Sequence, residues 1–145
     1  MTHPPSKVFQ SYLIDEGIFI APGDSGSWPA FISSTPESPD QCGTIYDTAG
    51  TLDGIIQKTG EQIEHFGLQV RIRSSPNAYE AGWNKAREIY DQAGQVRQVA
   101  VTVDGADYVI RALTPTTTVT PLGVEEGTKR RELFTVNFIA TISEV

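Results

Sequence analysis

Cysteine is almost missing. Cys42 is the only one among 145 residues, so no disulfide can form within the chain, and a reducing, cytoplasmic setting is the simple expectation. Histidine is scarce as well: only His3 and His65 are available to a catalytic centre that needs an imidazole base. No apolar run approaches the ~20 residues of a membrane span. The opening "MTHPPSKVFQ" lacks the charged n-region and apolar h-region of a secretory signal. Positive charge is in deficit, with 11 Lys and Arg against 18 Asp and Glu and a formal net charge of −7. That balance argues against general phosphate-backbone binding, which needs a basic footprint. It leaves room for a protein that surrounds DNA without gripping it. Also missing are an internal repeat, a Gly-rich phosphate loop ending in Gly-Lys-Ser/Thr, and any Cys/His spacing for zinc. No cofactor or metal is expected.

What remains is an ordinary soluble composition, 39% hydrophobic and 20% charged. A chain of this size fits one domain, residues 1–145, and buries roughly 70% of the surface its unfolded form exposes. It needs neither disulfide nor metal to hold a core.

Residues 4–15 read as a short first helix. Pro4 and Pro5 suit its first turn, Val8/Tyr12 and Phe9/Leu13 stack at i,i+4, and Gly17 suits its stop. Short apolar runs at Ile18–Ala21 and Trp28–Ser33 flank a Pro-Gly-Asp-Ser-Gly turn, "STPESPD" is a second turn, and "CGTIYDT" is a strand. Residues 49–65 have no sustained period and three glycines, so a loop with a short strand or a helical turn is expected there. Leu68, Val70 and Ile72 then alternate with Gln69, Arg71 and Arg73, the period-2 pattern of a strand with one buried face. Ser75 can cap a long helix over about 76–93, with Pro76 first and Glu80 near the positive end of its dipole. Tyr79, Trp83, Ala86, Tyr90 and Ala93 would form the packed face and Gly94 the end. "QVAVTVDGADYVIRAL" is a hairpin turning at Asp104-Gly105. "RELFTVNFIATIS" is a last strand with Phe134, Val136, Phe138, Ala140 and Ile142 on one face. Between them lies a long loop at about 114–130, a length that compact domains rarely keep without a use. The expectation is an α+β fold: a mostly antiparallel sheet packed against one long helix and a short N-terminal helix.

Chemistry-bearing motifs are few. "GDSG" at Gly23–Gly26 resembles the serine-protease signature, but the chain is too short for two barrels and a Gly/Asp/Ser turn accounts for it. "DTAG" at Asp47–Gly50 has an alanine inserted into the aspartic-protease triplet and no second copy. Glu61, Glu64 and His65 lie close in "EQIEH", a set that is usually a solvated face rather than a metal site. No catalytic constellation emerges, so no enzyme is expected. Arg71 and Arg73 share a strand face and suit bidentate carboxylate recognition. Solvation and contact with another molecule are open alternatives; pairing with acidic groups, within the chain or across a subunit contact, is favoured over DNA binding. Glu125-Glu126 precede Lys129-Arg130-Arg131. Those runs are either solvated surface or complementary edges on opposite sides of a ring protomer.

Three stretches, "PDQCGTIYDTAG", "HFGLQVRIRSSPNAYEAGWNKAREIYDQ" and "YVIRALTPTTTVTPLGVEEGTKRRELFTVNFIATI", resemble the minor capsid or tail-completion proteins of long-tailed bacteriophages, tail terminators above all. The alternating Val/Arg strand followed by a turn, an aromatic and an alanine-rich helix is the most specific part. The resemblance implies a structural virion protein at the head-tail junction, assembled in the host cytoplasm. It implies a homo-oligomer, a hexameric ring on the tail tube, that ends tube polymerisation and offers a surface for joining the head. Its partners would be the tube protein and a head-tail connector or stopper, with DNA passing through unbound by sequence. On this reading Arg71, Arg73, Glu125, Glu126, Lys129, Arg130 and Arg131 are candidate subunit or partner contacts. A head-side completion or stopper protein, a small hydrolase using Ser25 or Asp47, and a ringless adaptor are the alternatives.

Overall fold

Period-2 alternation sets the centre of the molecule, a seven-stranded sheet in a computed structural model that describes residues 1–55, 57–60 and 62–145. In chain order the elements are α1 (Pro5–Asp15), β1 (Ala30–Ile32), β2 (Cys42–Leu52), β3 (Glu64–Ser74), α2 (Tyr79–Ala93), β4 (Val99–Val103), β5 (Ala106–Pro115), β6 (Thr120–Val124) and β7 (Glu132–Glu144). The strand order is β1-β2-β3-β7-β5-β4. β7 pairs with β3 along one edge; along its other edge β6 takes residues 132–135 and β5 takes residues 138–144. The sheet is mixed rather than wholly antiparallel, because β1 runs parallel to β2.

Both helices pack on one face. Leu68, Val70 and Ile72 of β3 stand in register with Phe138, Val136 and Phe134 of β7, all buried. The α1 residues Val8, Phe9, Tyr12 and Leu13 are buried as their i,i+4 spacing requires, and Phe9 meets Phe138 edge-on with ring centres 5.6 Å apart. α1 ends in a Schellman turn: Ile18 N–H reaches Leu13 O, Gly17 N–H reaches Ile14 O, and Gly17 takes φ 76°. At its start, the Asp47 carboxylate of β2 accepts both Ser6 N–H (2.9 Å) and Ser6 Oγ–H (2.7 Å), so a strand residue supplies the cap.

The sequence expectations for α2 need correction. The helix starts at Tyr79 rather than Pro76, and Ser75 makes no cap bond; Asn77 has φ 62°, which breaks the helix path before Ala78. Its buried face is Gly82, Ala86, Ile89 and Ala93 rather than the aromatic stripe. Gly82 lies so close to the sheet that a Cβ there would run into the Phe134 ring and Ser74 Oγ. Tyr79 and Trp83 instead lean over the side of Phe134, half in solvent. With 15 residues against 11, α2 is only modestly the longer helix.

Two connections also differ from the sequence expectation. β2 and β3 continue through residues 49–52 and 64–65, so much of the 49–65 region is an extended hairpin; Ile56 and Glu61 lie outside the described residues. Within 114–130, β6 forms on β7, which leaves two short loops in place of a long one. The β4–β5 hairpin turns at Asp104-Gly105 with φ of 47° and 83°, as expected of a two-residue turn with left-handed centres.

Candidate interaction site

The face of the sheet turned away from the helices carries the polar half of the alternation. Gln69, Arg71 and Arg73 of β3 stand beside Tyr46, Thr44 and Cys42 of β2 and beside Asn137, Thr135 and Leu133 of β7. The "STPESPD" segment folds back over this face: Thr35 Oγ1 bonds Thr44 Oγ1 (2.8 Å) and Tyr46 OH (2.9 Å).

Under that segment two arginines are buried, Arg73 at 5% exposure and Arg131 at 3%. Arg73 donates to the backbone carbonyls of Asp40 (3.0 Å), Pro39 (2.6 Å) and Glu37 (3.5 Å). It therefore pairs with peptide dipoles, not with the carboxylates that its spacing suggested. Arg131 grips both oxygens of Glu125 through Nε and Nη2, and donates Nη1–H to Glu37 O (2.6 Å) and Asp40 Oδ1 (3.2 Å). Such fork geometry is what arginine offers and lysine does not. The Arg131 hydrogen bond holds the Glu125 carboxyl below its ordinary range, and Arg131 itself is held above its own. Lys129 reaches Glu37 Oε1 at 3.0 Å and lowers that carboxyl too. Burial pushes the Cys42 thiol up, which keeps it protonated at neutral pH.

The two charge runs do not lie on opposite sides of the protomer. Glu125 N–H bonds Arg131 O at 2.8 Å, so both runs share the β6–β7 turn, where a strand pair brings its ends together. Glu126, Lys129 and Arg130 are exposed at that turn, and Glu126 and Arg130 have no side-chain partner among the described residues. Arg71 is half-buried with its guanidinium 5.6 Å from the centre of the Tyr46 ring.

Other motif residues fall elsewhere. Ser25 sits in the exposed turn before β1, while His3 bonds Tyr108 OH (2.6 Å) and His65 bonds Thr141 Oγ1 (2.7 Å) and Asp53 (3.0 Å). Both ring nitrogens of His65 are thus occupied, and Glu61 lies outside the described residues. Among the described residues no cluster of three or more His, Cys, Asp or Glu could hold a metal, and no helix is long and apolar enough to cross a membrane. Sequence reasoning missed Glu37 and Asp40, whose segment looked like a plain turn. The available signal was Arg131 in phase with Leu133 and Thr135 on an alternating strand.

Comparison with known proteins agrees with this architecture. No curated protein matches the chain significantly. One solved structure superposes over 94% of this chain and 91% of its own, with a TM-score of 0.51 at 12% identity, which speaks to the fold alone. The family model of bacteriophage tail terminator proteins matches residues 12–142, nearly all of the α+β framework described above, so the chain belongs to that family and is a structural component of phage tails.

Proposed function

We propose that the protein forms a closed ring of identical subunits, six in number, on the head-proximal end of the tail tube. The ring ends tube polymerisation and presents the surface to which the head joins. The family match over residues 12–142 carries this reading. The tube protein lies on one side of the ring, a head-tail connector or stopper on the other, and DNA runs through the opening without sequence-specific contacts. The net charge of −7 supports such passage, since an acidic surface repels a phosphate backbone. The virion, at the head-tail junction, is then the site of action, and the protein works by assembly rather than by catalysis.

Glu126, Lys129 and Arg130 are the exposed members of the candidate contact set and the first choice for charge reversal. Arg73 and Arg131 are poor choices, because their burial would confuse lost assembly with lost folding. Electron microscopy of particles from a phage lacking this gene tests the whole reading. Overlong, uneven tails beside full heads are expected. Tails of normal length beside empty heads would place the protein on the head side instead.

A further inference from the structure

We propose that the cleft between Arg71 and Arg73 is a carboxylate-binding pocket, filled in the assembly by an acidic side chain of a second copy of this chain. The cleft measures about 130 Å³ and is lined by Thr35, Arg71, Arg73, Glu125 and Leu133. That is about four waters' share of liquid volume, enough for a carboxylate and its adjoining methylene.

Three donors in the cleft lining or next to it lack a charged acceptor, Thr135 being adjacent to the lining rather than part of it. Arg71 makes no hydrogen bond or ion pair with any described residue, and its Nε is shut from solvent without a partner. Thr135, directly across from Arg71 on β7 and 6% exposed, likewise has an unpartnered buried hydroxyl. Arg73 is 5% exposed, and its bonds go only to neutral carbonyls. Buried polar groups are ordinarily satisfied, so two orphans side by side in front of a cationic cleft mark a missing acceptor. A water could accept the bonds but would add no negative charge beside the two arginines, whose Cα atoms, i and i+2 on one strand, lie about 7 Å apart. The one carboxylate in the lining, Glu125, is already committed through both oxygens to Arg131. A carboxylate supplies two acceptors and one negative charge in the plane that an arginine fork matches. In a chain with 18 acidic residues against 11 basic ones, a second copy is a ready source. That source rests on the proposed ring; the class of ligand does not.

The test uses sodium acetate as the probe, titrated into the full chain at constant ionic strength against sodium chloride. Side-chain Nε–H resonances of Arg71 and Arg73 and the Thr135 amide are followed by NMR. A saturable shift of all three is expected with acetate and not with chloride. Arg71→Gln, which removes no hydrogen bond to any described residue, should weaken the remaining Arg73 and Thr135 response about tenfold or more. No saturable response, or an equal one in Arg71→Gln, overturns the pocket. In a second arm, protein concentration is raised without acetate while mass is read by light scattering. The same shifts appearing together with a larger mass, and reversed by acetate, support the second copy. A chain that stays monomeric while acetate still binds keeps the pocket and eliminates the second copy as its occupant.

Discussion

The two faces of the β2–β3–β7 centre are buried by opposite means. On one, Leu68, Val70 and Ile72 meet Phe134, Val136 and Phe138 under two helices, and packing alone accounts for their order. On the other, Arg73 and Arg131 are buried just as fully beneath a loop, and every bond they make is polar. The first face tolerates any side chain of suitable shape, because its attraction has no direction. The second depends on particular atoms: without Arg131 the Glu125 carboxylate and the Glu37 carbonyl each lose a donor. Apolar burial therefore holds the helices to the sheet, while directed bonds fix one loop and one turn on its far side.

The comparison is broken most severely on the apolar face. Phe138→Ala removes a ring 1% exposed and in contact with Phe9, and should cost about 3–5 kcal/mol in urea unfolding. On the polar face Arg131→Met should cost about 3 kcal/mol, since it strands Glu125. Adding Glu125→Leu to that variant should recover much of the loss, which a double-mutant cycle would read as coupling between the two sites. No such rescue is expected on the apolar face.

Acidity separates the faces more gently. Glu125 is held below its ordinary 4.5, mainly by Arg131, so its contribution is complete above that value and is lost as pH falls through the lower, folded-state one. Glu37, Asp104 and Glu144 are shifted the same way. Melting temperature should fall on acidification through and below the carboxylate range, and Glu125→Gln should flatten part of that slope. The smallest effect is expected for Arg71→Gln, about 0.5 kcal/mol, because Arg71 makes no hydrogen bond with any described residue and loses only its contact with the Tyr46 ring.

Legibility in the sequence followed the range of the interactions. Alternation in β3 and β7, the i,i+4 pairs of α1 and the Asp104-Gly105 turn are local signals, and each appears in the structure where its residues lie. The start of α2 departs from expectation because Ser75-Pro76 satisfies the rules for a cap, whereas Asn77 adopts a left-handed conformation that overrides them. The helix face departs for a related reason: aromatics weigh heavily in a periodicity, but the position that lies tight against Phe134 is Gly82, which has no side chain to count. β6 is hidden by the proline and glycine of "TPLGV", which depress strand propensity until β7 offers an edge to pair with. The burial of Arg73 and Arg131 could not be foreseen, since it depends on the loop at residues 34–41 turning its carbonyls inward, a contact across more than thirty residues for Arg73 and about ninety for Arg131. The exposed Glu126, Lys129 and Arg130 were readable as charges but not as a single turn.

β7 has a bearing on when the protein can finish folding. It follows every other strand in sequence, and it alone joins the β1-β2-β3 group to the β4–β5 hairpin. A chain emerging from the ribosome can therefore form α1, the β2–β3 hairpin and the β4–β5 hairpin, but cannot join their strands into one sheet. Until residues 132–144 are released, Val70, Ile72 and Ile110 have a strand on one side only, and β3 and β5 each present an open edge. Closure is one late event in which a single segment zips into three neighbours, and its speed is set by long-range loop closure rather than by local propensity. A subunit whose synthesis is cut short before β7 has no complete sheet to offer an assembling tail.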